Sequence, residues 1–132
     1  MAEEFSPDLV RVMSALRPTL TLEGDTHVGW FHPEPEHRGN PGWLHGGLAA
    51  TVLDHVTARA ASWFLGDVPV VTGTLDLKYR APVPLADGPF RVRSSVDAGR
   101  VGRYARVRGA ILGHDGAPLV EATALFVPRP GG

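Results

Sequence analysis

The twenty-two residues Leu44-His45-Gly46-Gly47-Leu48-Ala49-Ala50-Thr51-Val52-Leu53-Asp54-His55-Val56-Thr57-Ala58-Arg59-Ala60-Ala61-Ser62-Trp63-Phe64-Leu65 decide the architecture. The stretch has no proline, and no glycine after Gly47. It is too long for a strand and apolar nearly all round, which is the pattern of a helix buried on most sides. Gly66 is a natural stop, because glycine accepts the left-handed backbone that ends helices. The pattern predicts a central helix over 44–66 with other elements packed round it.

The period changes on either side of this helix. Downstream, 68–79, 90–96, 104–112 and 119–127 read as four strands separated by turns at 82–89, 97–102 and 113–118. Val107, Gly109 and Ile111 alternate with Arg106 and Arg108, giving a strand with one polar face. His114-Asp115-Gly116 is a hairpin signal, and short turns favour antiparallel neighbours. Upstream, 7–17 reads as a short amphipathic helix. Ser6 caps it, Pro7 suits its first position, and Leu9, Val10, Met13 and Leu16 share one side. Pro18 closes this 1–18 N-terminal segment. One or two short strands follow over 19–31, turning at Glu23-Gly24-Asp25, and 33–42 reads as an irregular loop. An antiparallel sheet that curls round one buried helix is the best way to cover it, so the expected class is α+β, in one domain over 1–132.

The whole chain narrows the function classes. A net charge of −1 over 132 residues gives no basic field for nucleic acid. The absence of cysteine removes disulfides, thiol nucleophiles and cysteine–zinc sites together, and fits a reducing cytoplasm. No apolar run approaches the roughly 18–20 residues of a membrane span. The acidic start Met1-Ala2-Glu3-Glu4, with no apolar core behind it, argues against a secretory leader. The sixteen glycines and twelve prolines fall between patterned segments and act as turn punctuation.

Gly42, Gly46 and Gly47 stand before or at the start of the long helix. A helix start exposes unpaired N–H groups and a positive dipole end, and glycine lets a ligand approach the backbone. Such a place suits an anion, or a carbonyl oxygen that becomes one. The plainer reading is that the glycines only shape the turn into the helix. Asp54 lies in the middle of the apolar helix and needs a partner, a cleft or a raised pKa. Arg59 and His55 are structural candidates for that partner. Gly47 and Asp54 lie on nearly the same face but about 10 Å apart along the axis, whereas reacting groups must come within roughly 3–3.5 Å. A second chain, antiparallel across a two-fold axis, would bring the Gly46 and Gly47 amides of one copy to Asp54 of the other.

Residues Pro41-Gly42-Trp43-Leu44-His45-Gly46-Gly47 through Asp54 resemble the signature of hotdog-fold thioesterases, in particular the phenylacetate-pathway (PaaI-like) branch of the 4-hydroxybenzoyl-CoA thioesterase superfamily. The stretch Val71-Thr72-Gly73-Thr74-Leu75-Asp76-Leu77-Lys78-Tyr79-Arg80-Ala81-Pro82 is similar to that family's following strand and turn. The resemblance implies a hotdog fold and hydrolysis of an acyl-CoA, without a cofactor, in a homodimer with shared sites, leaving a dimer of dimers open. It also implies roles: the Gly46 amide polarises the thioester carbonyl, and Asp54 serves as nucleophile or as general base. Thr72 positions Asp54 or water, and His45 orients the loop. Thr74, Tyr79 and the turn Arg100-Val101-Gly102-Arg103 fall where relatives meet the acyl group or CoA; by position alone Gly47 is a further contact, and Trp43 either lines the acyl pocket or belongs to the core or an interface. One departure is plain. Many relatives carry Asn or Gln six residues before the His, where this chain has Gly39. Asn40, one residue off, either reaches the carbonyl or is a turn residue.

Other signals carry less. Arg80, Arg91, Arg93, Arg106 and Arg108 read as solvated strand faces; Arg100 and Arg103 could also pair with phosphate. His27, His32, His37 and His45 match no standard zinc spacing, so no metal is expected. Two other functions compete. A non-catalytic acyl-CoA binder fits the displaced Asn40. A hydratase or dehydratase needs an Asp and a His on one face, whereas Asp54 and His55, being adjacent, point apart on a helix.

Overall fold

The computed structural model describes residues 6–101 and 103–130, with the backbone alone at 98–101. Helix α1 (Pro7–Ser14) leads into strands β1 (Leu20–Glu23) and β2 (Thr26–Phe31) and a 3-10 turn (Pro35–His37). Helix α2 (Gly46–Phe64) follows, then β3 (Val70–Tyr79), β4 (Phe90–Val101), β5 (Tyr104–Leu112) and β6 (Pro118–Pro128). All strand pairs are antiparallel, and the order across the sheet is β1-β2-β4-β5-β6-β3. This is the expected α+β arrangement of one antiparallel sheet and one long helix.

Alternation along the strands explains why the helix and sheet face each other. On β4, Phe90, Val92 and Ser94 point to the helix and are buried, while Arg91 and Arg93 point away. On β5, Ala105, Val107 and Ile111 do the same, against Arg106 and Arg108. Helix α2 answers with Ala49, Val52, Leu53, Val56, Thr57, Ala60 and Ala61, all buried. Fully burying each Val or Leu here is worth about 1.5–3 kcal/mol. Two polar groups inside this layer are satisfied locally. Ser94 Oγ donates to the Val56 carbonyl at 2.7 Å, and Thr57 Oγ1 to the Leu53 carbonyl at 2.7 Å. Gly109 of β5 lies close against the helix: a Cβ there would come within 2.7 Å of Thr57 Cγ2.

Three sequence expectations change. Helix α1 stops at Ser14, and its shared side is not a core face: Leu9, Val10 and Met13 are exposed. Only Leu16, in the turn beyond the helix, is buried. The short helix is held besides by the bond of the Val12 carbonyl to His37 Nε2 and by the ion pairs of Arg11 to Glu34 and Glu36. The central helix starts at Gly46 rather than Leu44. The Leu44 N–H is drawn to the Val83 carbonyl at 2.9 Å, leaving His45 as the capping residue. The turn expected over 97–102 is strand as far as Val101, where β4 ends, with a register shift between Val96 and Arg100; Gly102 lies outside the described residues. A bulge absorbs the extra residues, so glycine and charge there do not end the strand.

Candidate active site

The loop before α2 is built from turn chemistry. Asn40-Pro41-Gly42-Trp43 forms a tight turn, with the Trp43 N–H donating to the Asn40 carbonyl at 3.0 Å and Gly42 at a φ of 85°. Proline second and a left-handed glycine third is what such a turn requires. Asn40 thus opens the turn, its side chain exposed and without a hydrogen bond among the described residues. Gly39 lies against His45: a Cβ there would come within 3.2 Å of His45 Cα.

At the helix start, His45 Nδ1 accepts the Gly47 N–H at 3.0 Å. The His45 carbonyl accepts the Leu48 and Ala49 N–H groups, each at 3.0 Å. Since Nδ1 is an acceptor, the neutral His45 ring carries its proton on Nε2. The Gly46 N–H has no partner among the described residues. It is therefore the open donor at the positive end of a nineteen-residue helix. Tyr79, on β3, donates its hydroxyl to the Gly46 carbonyl at 2.6 Å and lays its ring beside Gly46. Next to this amide opens a cavity of about 270 Å³, lined chiefly by Leu44, Ala49, Pro82, Val83 and Val120 with Tyr79 at its edge.

Asp54 lies two turns further along α2, half-buried. Its partner is neither Arg59 nor His55: Asp54 Oδ1 accepts the Thr72 hydroxyl at 2.8 Å. His55 instead turns its Nε2 to the Pro18 carbonyl at 3.1 Å. Burial holds the His55 pKa below its ordinary value. The Pro18 hydrogen bond and nearby Asp54 push it the other way, and Arg17 and Arg59 lower it further. Gly47, Thr51, Asp54 and Ala58 form the open stripe of α2. Beside it, β3 is an edge strand with Val71, Thr72, Gly73 and Thr74 exposed.

Within one chain the expected residues form two groups. Asn40, Trp43, His45, Gly46, Gly47 and Tyr79 gather at the start of α2. Thr72 gathers with Asp54 further along, and Thr74 follows on the same edge strand. Gly46 and Asp54, eight residues apart on one straight helix, are separated by about 12 Å along its axis. Arg103 is exposed; Arg100 and Val101 belong to the β4 backbone, their side chains outside the described residues, as is Gly102. His27, His32, His37 and His45 lie in different surroundings, and among the described residues no group of three or more metal-binding side chains converges. Sequence reading missed the cavity residues Val83 and Val120, which come together only through pairing of distant segments. It also set His37 aside with the other histidines that match no zinc spacing, and gave it no structural place. The pattern Glu34-x-x-His37 was the available signal, since it forms a capping box around the 3-10 turn.

A family model for the thioesterase superfamily matches residues 41–103, which span the turn, α2, β3 and β4. The chain is 37% identical over 98 residues to the acyl-coenzyme A thioesterase THEM4 of Xenopus laevis, covering 74% of this chain and 42% of that protein. It thus spans less than half the length of the curated relatives it matches. Two solved structures share its architecture. A phenylacetic acid degradation-related protein of Ralstonia eutropha superposes with a TM-score of 0.74 at 21% identity, over 93% of this chain and 91% of that one. A Bacillus halodurans protein solved with CoA gives a TM-score of 0.73 at 19% identity, over 98% and 83%. The long helix and the sheet round it thus recur in these structures, and the chain has the hotdog fold and carries the thioesterase-superfamily sequence pattern over residues 41–103.

Proposed function

We propose that this chain hydrolyses acyl-CoA thioesters, in a homodimer whose two sites each combine Gly46 of one chain with Asp54 of the other. The observation that carries this reading is the unpartnered Gly46 N–H at the start of α2, on the helix that also holds Asp54 oriented by Thr72. The thioester carbonyl accepts from the Gly46 amide, so the negative charge that develops on its oxygen meets a fixed donor and the helix dipole. The facing Asp54 either attacks the carbonyl carbon or takes a proton from the water that does. The C–S bond then breaks, the thiolate of CoA leaves and is protonated, and the acid is released. If Asp54 itself attacks, water cleaves the resulting anhydride in a second step.

Dimerisation is supported by what a single chain leaves open. The β3 edge has unpaired backbone groups, and the adjoining helix stripe is uncovered. Val71 and Tyr79 are exposed on the same strand. A second copy would cover these surfaces and bring Asp54 to the other chain's helix start.

The test is thiol release over a panel of acyl-CoAs. Release by the wild type, abolished in Asp54→Ala and Asp54→Asn, is the expected result. Binding without release throughout the panel would leave an acyl-CoA binder instead, the reading suggested by Asn40 sitting in a turn. A hydratase is disfavoured by His55, whose ring faces Pro18 rather than Asp54's side of the helix.

A further inference from the structure

We infer that His37 is a positioning residue for the Gly46 amide, and that through it helix α1 holds the start of α2 in register. The kinetic part of this inference rests on the proposed role of Gly46; the geometric part does not. His37 is fully buried, and both of its ring nitrogens are bonded to backbone.

 The Glu34 N–H donates to Nδ1 at 2.9 Å, and Nε2 meets the Val12 carbonyl at 2.7 Å. A backbone N–H can only donate and a carbonyl only accept, so the ring carries its proton on Nε2. It thereby joins the last turn of α1 to the loop that leads into α2. Arg11 reinforces the same joint by ion pairs to Glu34 and Glu36.

The backbone of His37 carries the restraint onward. Its carbonyl accepts the His45 N–H at 2.8 Å, and His45 Nδ1 accepts the Gly47 N–H at 3.0 Å. Gly46 lies between these two anchored positions. The direction of its free N–H is therefore set by a line of hydrogen bonds that begins at Val12. Neither His37 nor Val12 touches the cavity beside Gly46. The effect of His37 on a bound carbonyl is felt only through the placement of that amide, and displacement of a catalytic group by about 1 Å can cost 100-fold in rate.

Backbone NMR and steady-state kinetics on the full chain test this together. In His37→Phe, the Gly46 and Gly47 amide resonances should shift, and hydrogen exchange at Gly47, whose N–H donates to His45, should quicken. In the folded protein, kcat should fall on the order of 10-fold to 100-fold, with KM changed less than about threefold. His37→Gln, which keeps an N–H near the Nε2 position, should recover part of both signals and serves as the variant should His37→Phe not fold. Unmoved amide resonances in a folded His37 variant would overturn the inference, as would an unchanged kcat per folded molecule, the outcome of a merely structural role. A wild type that releases no thiol from any acyl-CoA would instead defeat the proposed activity, and the amide resonances would still decide the geometry.

Discussion

At the scale of single residues, the two polar groups that matter are fixed by different means. Gly46 presents a bare N–H because it is the first residue of a helix, whereas Asp54 presents a carboxylate because Thr72 on a neighbouring strand holds it. Asp54→Asn keeps the shape and removes the charge, so thiol release should fall on the order of 100-fold to 10,000-fold. Thr72→Val should retain the charge and lose its orientation, costing about 10-fold to 100-fold in kcat; an undiminished rate would show that the 2.8 Å bond is incidental. His27 gives a prediction on stability. It is buried beside Trp63, its Nδ1 without a partner among the described residues, and burial, aided by Arg59 and opposed by Asp67, holds its pKa below the ordinary value. The unfolded chain therefore binds more protons as pH drops through about 6.5, and stability falls there until the folded ring also titrates. His55 acts in the same direction. Thermal melts should show a Tm that declines from pH 7 to pH 5, less steeply in His27→Leu; parallel slopes in the two proteins would contradict this assignment.

At the scale of elements, α2 shows how closely sequence pattern and structure agree, and where they part. Its length, its apolar surface and its stop at Gly66 are all legible, because they are local properties of one segment. Its bounds shift at the start because the Val83 carbonyl captures the Leu44 N–H, a contact made from 39 positions away in the chain. The strands were legible by alternation. The end of β4 was not, since a bulge lets pairing resume at Arg100 with Ala105. Helix α1 was legible as a helix but not as a tether, because its packing is decided by Leu16 and by bonds to His37 and two glutamates. Packing of α2 on the sheet makes Leu53→Ala costly, by about 2–5 kcal/mol, since Leu53 is fully buried. Chemical denaturation should register that loss; a change below about 1 kcal/mol would mean the core collapses around the site.

At the scale of the whole molecule, the helix separates Gly46 and Asp54, the proposed catalytic pair, which lie eight residues apart in sequence. The spacing of Gly46 and Asp54 was readable, and so was its consequence, because helix rise is a constant. The cavity beside Gly46 was not readable, since its walls come from α2, β6 and the turn after β3. The proposed site therefore depends on assembly, for which an exposed edge strand and an open helix stripe are available. Mixing subunits tests this most directly. Gly46→Pro removes the one N–H at issue, and proline suits the first position of a helix. His45, at ψ 132°, already has the extended backbone that a following proline demands. Each of Gly46→Pro and Asp54→Ala should be inactive alone. After subunit exchange at equal amounts, half of the dimers are hybrids with one intact site of two, so thiol release should return to about a quarter of the wild-type rate. No recovery, with hybrid dimers verified by mass, would contradict the shared site.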